Sequence, residues 1–151
     1  KLIVDGDAIT IFSKLKPDIP TCKVIFTPHQ KEWERLSGIP IEEQTYERNR
    51  EAADRIGATI VLKMHGTEIY LRGKNYKLPI GTPAMATGGM GDTLAGMITS
   101  FVGQFNDTEE AVTSATYTHS YIGEQLAEKM YVVPPSRLIS EIPHAMKALE
   151  N

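Results

Sequence analysis

The sequence has few of the features that mark disulfide-bonded, membrane-spanning, nucleic-acid-binding or metal-binding proteins. Its single cysteine, Cys22, cannot form an intrachain disulfide, so the sequence favours a reducing compartment such as the cytoplasm. No apolar run reaches membrane-spanning length. The net charge of -3 gives no electrostatic reason to bind nucleic acid or an anionic membrane surface. Histidine and cysteine never recur at metal-ligand spacing, so we expect no transition-metal site built by the protein.

What is present is the composition of a globular domain. Hydrophobic residues make up 41% of the 151 residues and charged residues 23%, which is enough to bury a core in one domain. Apolar runs alternate with helical patterns, which predicts an α/β fold with a mostly parallel sheet. The predicted strands are 2–4, 23–27, 59–63, 68–72 (half-exposed) and 74–79 (antiparallel to the one before), and the predicted helices are 8–15, 31–36, 45–56, 94–102, 108–129 and 135–149.

Single residues predict where several helices begin or end. Thr45 is a predicted N-cap, and Gly38 and Gly57 are predicted to end the helices before them. Asp5 and Asp7, at a strand end, could hold a cation through water, but a cap on the first helix is favoured. Ser136 is expected to cap the last helix, although Pro143 weakens that helix. Of the remaining large or titratable side chains, the core or an interface is expected for Trp33 and Leu36, a packed position for His119 and the surface for His144.

The segment Gly81–Gly96 carries the clearest chemical signal. Gly88, Gly89 and Gly91 crowd the start of an amphipathic helix, where free N–H groups and the helix dipole favour an anion such as phosphate. Asp92 lies at the same helix start, and since like charges repel, it suits a base that takes a proton from a hydroxyl better than a phosphate ligand. The alternative is a tight turn with Asp92 as a helix cap. The spacing fits neither a Walker A motif nor a dinucleotide fingerprint.

These residues also carry a family resemblance. Gly88–Gly96 resembles the anion-hole signature of the ribokinase-like superfamily, whose core is Gly-x-Gly-Asp. The longer string from Pro83 resembles the NAD(P)H-hydrate dehydratase family, which usually has Asn and Gly where Thr82 and Ala84 stand. Three more segments resemble that family in the right order: Val4–Ile9, Thr27–Glu32 (with Gln30 and Lys31 for Pro-Gly) and Val61–Thr67 (with Met64 for a glycine).

The resemblance implies a three-layer αβα ribokinase-like fold with a mostly parallel central sheet. Residues 1–151 would be a single domain, the C-terminal portion of a ribokinase-like (carbohydrate kinase-like) domain that lacks its N-terminal part. The sequence itself agrees with this expectation, because it opens directly on a strand, and buried parallel strands usually have neighbours on both sides.

The resemblance also assigns roles to residues. Asp92 would be the catalytic base, and the backbone of Gly89, Met90 and Gly91 the anion hole. The implied nucleotide-binding residues are Lys63, Met64, His65, Gly66, Thr67 and Gly91, and the implied substrate-binding residues are His29 and Asp92. His29 follows a predicted strand and Lys63 ends another, at the sheet edge where α/β proteins bind ligands. The alternative for Lys63 is a solvated surface lysine, and for His29 a loop histidine without a role.

The implied activity is that of a hydro-lyase that repairs hydrated NADH or NADPH. It would phosphorylate the ring hydroxyl with ADP or ATP and Mg²⁺ and then eliminate phosphate. A homo-oligomer, such as a tetramer, is implied as well. Two alternatives stay open: a ribokinase-like kinase of a small alcohol (a sugar or a vitamin precursor), which would use the same base and anion hole, and a nucleotide-binding regulatory module without catalysis.

Overall fold

The structure, a computed structural model, describes residues 1–150 and contains five strands and six α-helices in that range. The elements in chain order are β1 Leu2–Val4, α1 Asp7–Leu15, β2 Val24–Phe26, α2 Gln30–Ser37, α3 Tyr46–Ile56, β3 Thr59–Leu62, β4 Glu68–Leu71, β5 Lys74–Lys77, α4 Met90–Gln104, α5 Thr108–Ala127 and α6 Pro135–Leu149. Short 3-10 turns occur at Ile41–Glu43 and Pro83–Met85. The chain divides into two compact units, Lys1–Leu78 and the part from Pro79 onward. The single-domain organisation of residues 1–151 stays a prediction.

The first unit is built on a mixed sheet in the order β1-β2-β3-β4-β5. The strands β1, β2 and β3 are parallel, with α1 and then α2 and α3 in the connections between them. The β3–β4 and β4–β5 pairs are antiparallel. Because only residues 63–67 join β3 to β4, that connection is too short for a crossover, so the chain must turn back on itself. The α/β class and the antiparallel pairing of β4 with β5 are confirmed.

The strand β4 was expected to be half-exposed, and this prediction is wrong. All four of its residues are buried, and Glu68 is only 2% exposed. The carboxylate of Glu68 accepts hydrogen bonds from Asn49 Nδ2 at 3.2 Å and from the hydroxyl of Tyr70. Asn49 in turn accepts a bond of 2.8 Å from Nε1 of Trp33, whose predicted burial is confirmed. A carboxylate can be buried here because both hydrogen bonds reach Oε2 of Glu68 and Nζ of Lys77 lies 3.5 Å from its Oε1.

Three helices make up the second unit. The predicted extents of α5 and α6 are confirmed closely, and α6 continues through Pro143. The helix α5 packs with small, fully buried side chains such as Ala111 and Ala115. The expected cap at Ser136 is wrong, because α6 begins one residue earlier, with Pro134 as N-cap and no side-chain cap bond. Within residues 1–150 no helix combines the length and the apolar character that a membrane crossing requires.

The caps of the first unit follow the sequence more closely. Thr45 caps α3 by accepting a hydrogen bond from the N–H of Arg48 at 3.4 Å. Gly38 and Gly57 end α2 and α3 in the left-handed conformation that favours glycine. In the second unit His119 is buried, while His144 is exposed, so both expectations hold.

Candidate functional site

The glycine-rich segment forms an uncapped helix N-terminus. Gly89 is the N-cap residue of α4, with φ 84° and ψ −7°, and no side chain caps the helix. Asp92 therefore does not cap α4, and its side chain is exposed in the first turn. Its carboxylate is therefore accessible beside the start of α4.

In the first turn of α4, two backbone amides are unused. The N–H of Met90 donates to Thr87 O at 3.3 Å, and that of Thr93 donates to Gly89 O at 3.0 Å. Within residues 1–150 no carbonyl or side chain accepts a hydrogen bond from the N–H of Gly91 or Asp92. Since α4 also directs the positive end of its dipole to this place, the two amides suit an anion. Of the predicted anion-hole residues, Gly89 and Gly91 have amides without an acceptor among residues 1–150, whereas the amide of Met90 has a partner inside the protein.

The loop before α4 is held by residues that sequence reasoning missed. The carboxylate Oε1 of Glu124, on α5, accepts a hydrogen bond of 2.9 Å from the N–H of Gly81. Val133 donates its N–H to Ala84 O at 2.9 Å and accepts a bond of 3.4 Å from Thr87 Oγ1. Both anchors lie more than 40 residues along the chain from the loop, so no local pattern could have indicated them.

Asp92 also lines an open groove of about 450 Å³ between residues of α4 and α6. The groove is mostly apolar, and its lining residues are Asp92, Thr93, Gly96, Met97, Ser100, Phe101, Gln104, Ile139, Ile142 and Met146. The carboxylate of Asp92 can thus be reached from solvent.

In the first unit, Lys63 forms an ion pair with Asp5. The Nζ of Lys63 lies 2.8 Å from Oδ1 of Asp5, and the two side chains are 21% and 18% exposed. The expected role of Asp5 or Asp7 as a helix cap is wrong, because Gly6 is the N-cap of α1 and no side chain caps it. The carboxylate of Asp5 binds a charged partner beyond the neighbouring strand instead. The alternative of a solvated Lys63 is wrong as well.

His29 lies beside this pair at the carboxyl end of β2. Its backbone forms a parallel bridge with Lys63, whose N–H donates to Pro28 O at 2.7 Å. The ring Nδ1 accepts N–H bonds from Lys31 and Glu32, at 3.1 and 3.3 Å, and caps α2. In the neutral ring the proton is therefore on Nε2, which lies 3.4 Å from Oε1 of Glu32, in a side chain that is 53% exposed. His29, Lys63 and Asp5 are thus brought to the same edge of the sheet.

The loop after β3 holds the other predicted nucleotide-binding residues. His65 is exposed, and Gly66 has φ 74°, a conformation that favours glycine. Thr67 accepts the N–H of Leu78 at 2.9 Å through its carbonyl, which fixes the end of the loop. Met64, where the related family has a glycine, packs its side chain against the core of the first unit. The roles of Lys63 to Thr67 in nucleotide binding stay predictions.

Comparison with known proteins identifies the family. The family model described as NAD(P)H-hydrate dehydratase matches residues 1–144. The chain belongs to this family. A relative from Staphylococcus aureus (strain NCTC 8325 / PS 47), named ADP-dependent (S)-NAD(P)H-hydrate dehydratase, is 80% identical over 150 residues, which cover 99% of this chain and 54% of the relative.

Solved structures agree on the fold. A ribokinase-like superfamily protein of Enterococcus faecalis V583 is 47% identical with a TM-score of 0.93 and matches 97% of this chain and 52% of its own. The ADP/ATP-dependent NAD(P)H-hydrate dehydratase of Bacillus subtilis, co-crystallized with ATP/Mg²⁺ and soaked with CoA, is 31% identical with a TM-score of 0.88 and matches 97% and 55%. The predicted ribokinase-like α/β fold is confirmed. The chain spans about half the length of the curated relatives it matches.

Proposed function

We propose that this chain carries the phosphoryl-transfer machinery of an ADP-dependent NAD(P)H-hydrate dehydratase. The observation that carries the proposal is the pair of unpartnered amides of Gly91 and Asp92 next to the exposed carboxylate of Asp92. Amides of this kind stabilise negative charge on a phosphoryl group. A carboxylate beside them accepts the proton of the attacking hydroxyl. ADP is proposed over ATP because the 80% identical relative is named ADP-dependent.

The loop after β3 and the end of β2 supply the other proposed contacts. Lys63, with its ammonium held by Asp5, and the loop from Met64 to Thr67 would bind the nucleotide. The exposed imidazole of His29, with its Nε2–H, would donate a hydrogen bond to the hydrated dinucleotide. Gly91 would contribute to nucleotide binding as well as to the anion hole.

The proposed reaction balances as a dehydration. A hydrated nicotinamide ring carries a hydroxyl on one carbon and the added hydrogen on its neighbour. Asp92 takes the hydroxyl proton while that oxygen bonds to the terminal phosphorus of ADP, and AMP leaves. Phosphate then departs with the ring oxygen, the neighbouring carbon loses its proton, and the ring double bond is restored. The amides of Gly91 and Asp92 hold the phosphoryl oxygens during the transfer.

Magnesium would come with the nucleotide rather than with a protein cage. The donors at the α4 N-terminus are N–H groups, which bind anions, so Mg²⁺ would be held by phosphate oxygens and water. When bound, it would neutralise part of the phosphate charge. The homo-oligomeric state and the cytoplasmic location stay predictions.

The proposal can be tested with this chain placed in the S. aureus relative in exchange for the segment that it matches. The chimera is expected to convert hydrated NADH to NADH when ADP and Mg²⁺ are present, followed by the absorbance of the reduced ring. Asp92→Asn is expected to lower kcat by about 10³-fold or more, as removal of a general base from phosphoryl transfer does, while ADP still binds by calorimetry. The matched control is Asp54→Asn, on the exposed surface of α3.

Three results would contradict the proposal in different ways. Full activity of the Asp92→Asn chimera would remove Asp92 as the base. Phosphorylation of alcohols from a panel, without conversion of hydrated NADH, would favour the small-alcohol kinase. ADP binding without turnover of any substrate would favour a regulatory module.

A further inference from the structure

We infer that Glu124 is a positioning residue that fixes the glycine-rich loop and thereby the free amides of the α4 N-terminus. Glu124 lies on α5, well away from the proposed reacting atoms in sequence, and no proposed step uses its carboxylate as acid or base. Its Oε1 accepts the N–H of Gly81 at 2.9 Å in a partly buried setting. The inference depends on the proposed function only for its nucleotide-binding part.

The loop needs such an anchor because it has little structure of its own. From Gly81 to Gly89 the only regular element is the short turn Pro83–Met85, and Gly81 itself has φ 148°. Pro83, Gly88 and Gly89 are exposed, so apolar burial contributes little to holding this segment. The order of the loop therefore depends on its few hydrogen bonds to other elements.

The residue next to Glu124 supports the same loop from the same helix. Gly123 faces Met85, and a Cβ at position 123 would overlap the Met85 side chain. One end of the loop is thus bound by the Glu124 carboxylate, and its middle rests on Gly123. Val133 binds Ala84 and Thr87 further along.

Among the residues that hold the loop before α4, Glu124 supplies the charged contact. A carboxylate that accepts a backbone N–H forms a charge-assisted bond, stronger than one between neutral groups. Loss of this bond would release Gly81 and widen the range of positions that Gly89 and the α4 amides can adopt. Phosphate binding by those amides would weaken, because their preorganisation is what gives them affinity.

The test compares Glu124→Ala, Glu124→Gln and the control Glu128→Ala, an exposed glutamate one turn further along the same helix end. Hydrogen exchange of residues 79–93 reports the loop without any ligand. Calorimetry with ADP reports the phosphate site. The alanine variant is expected to exchange faster in 79–93 only and to bind ADP about tenfold more weakly, as for loss of one charge-assisted bond. Gln, whose amide oxygen still accepts the Gly81 N–H, is expected to restore both within about twofold.

Each outcome decides the inference. Unchanged exchange in 79–93 for Glu124→Ala, or faster exchange spread evenly over the whole chain, would overturn it. Failure of Gln to restore protection would overturn it too. If Glu124→Ala does not fold, hydrogen exchange of the Gly81 amide in the unmodified protein tests the inference instead. Unprotected exchange of that amide would show that its hydrogen bond to Glu124 is absent. Local loosening without ADP binding by any form would sink the proposed function while leaving the role of Glu124 intact.

Discussion

The ammonium of Lys63 and the carboxylate of Asp5 are joined across the end of β2, with Nζ 2.8 Å from Oδ1, although 58 residues separate them. The strands β1 and β3 both pair with β2, so this ion pair ties β1 to β3 across β2 at the edge where the parallel strands end. The bond also orients the lysine that is proposed to meet the nucleotide.

Removal of the Asp5 carboxylate should therefore lower the stability of the fold. We expect Asp5→Ala to lower the free energy of unfolding by about 1–2 kcal/mol, between the values for exposed and for buried pairs. Urea denaturation followed by tryptophan fluorescence measures it, since Trp33 is buried in the same unit. Arg48→Ala, which breaks an exposed pair with Glu43 in the same unit, should change stability by less than about 0.5 kcal/mol. Equal effects of the two substitutions would contradict the tie.

Gly89 is expected to tolerate no side chain without strain. Its φ of 84° is a left-handed conformation, which costs other residues about 1–2 kcal/mol. Gly89→Ala should lower the free energy of unfolding by about that amount. Gly88→Ala is the matched control, because that position has open space and no positive φ, and it should stay within about 0.5 kcal/mol of the parent. Indistinguishable denaturation midpoints for the two variants would show that the turn is not strained by a side chain.

Much of this fold could be predicted because its signals are local. The apolar runs of β1, β2 and β3 and the glycines that end α2 and α3 act within a few residues, so the sequence alone indicates them. The glycines before α4 likewise indicate a helix N-terminus with free amides, since that property belongs to the helix itself.

The parts that could not be predicted depend on residues far apart in the chain. The alternating pattern of β4 predicts that Glu68 is exposed. In the structure it is buried, and its carboxylate accepts a hydrogen bond from Asn49, which lies on α3. The local sequence predicts that Asp5 caps a helix, but in the structure its carboxylate pairs with Lys63. The anchor of Gly81 on Glu124 spans 43 residues. In each case a contact between residues far apart in the chain overrides the local preference. The periodicity of the sequence carries no signal for such contacts.

Gly123 is predicted to be required by packing rather than by backbone conformation. Alanine in a helix interior is normally favoured over glycine by about 1 kcal/mol. At position 123 the new Cβ would overlap Met85, so we expect Gly123→Ala to destabilise by about 1–3 kcal/mol instead, the usual cost of overpacking. Gly103→Ala, in α4 with open space around it, should be neutral or stabilising by up to about 1 kcal/mol. Thermal or urea denaturation of both variants decides, and a gain in stability for Gly123→Ala would refute the packing role.

The last prediction concerns Tyr70 at alkaline pH. Burial raises the pKa of the Tyr70 hydroxyl far above its usual value, and the hydrogen bond and charge of Glu68 raise it further. The folded protein thus keeps a proton that the unfolded chain releases above pH about 10, so the unfolded state binds fewer protons there. The contribution of Tyr70 to stability is complete below that pH and declines as pH rises, by up to about 1.4 kcal/mol per pH unit.

The measurement is the free energy of unfolding from urea titrations at pH values from 8 to about 11. Tyr70→Phe removes the ionisable hydroxyl while keeping the ring, so its stability should fall less steeply above pH about 10 than that of the parent. Lysines and the remaining tyrosines titrate in both proteins, which makes the difference between the two curves the informative quantity. Parallel curves across this range would mean that the buried hydroxyl is not held in its protonated form by the fold, and that the contact with Glu68 does not shape the alkaline stability of this unit.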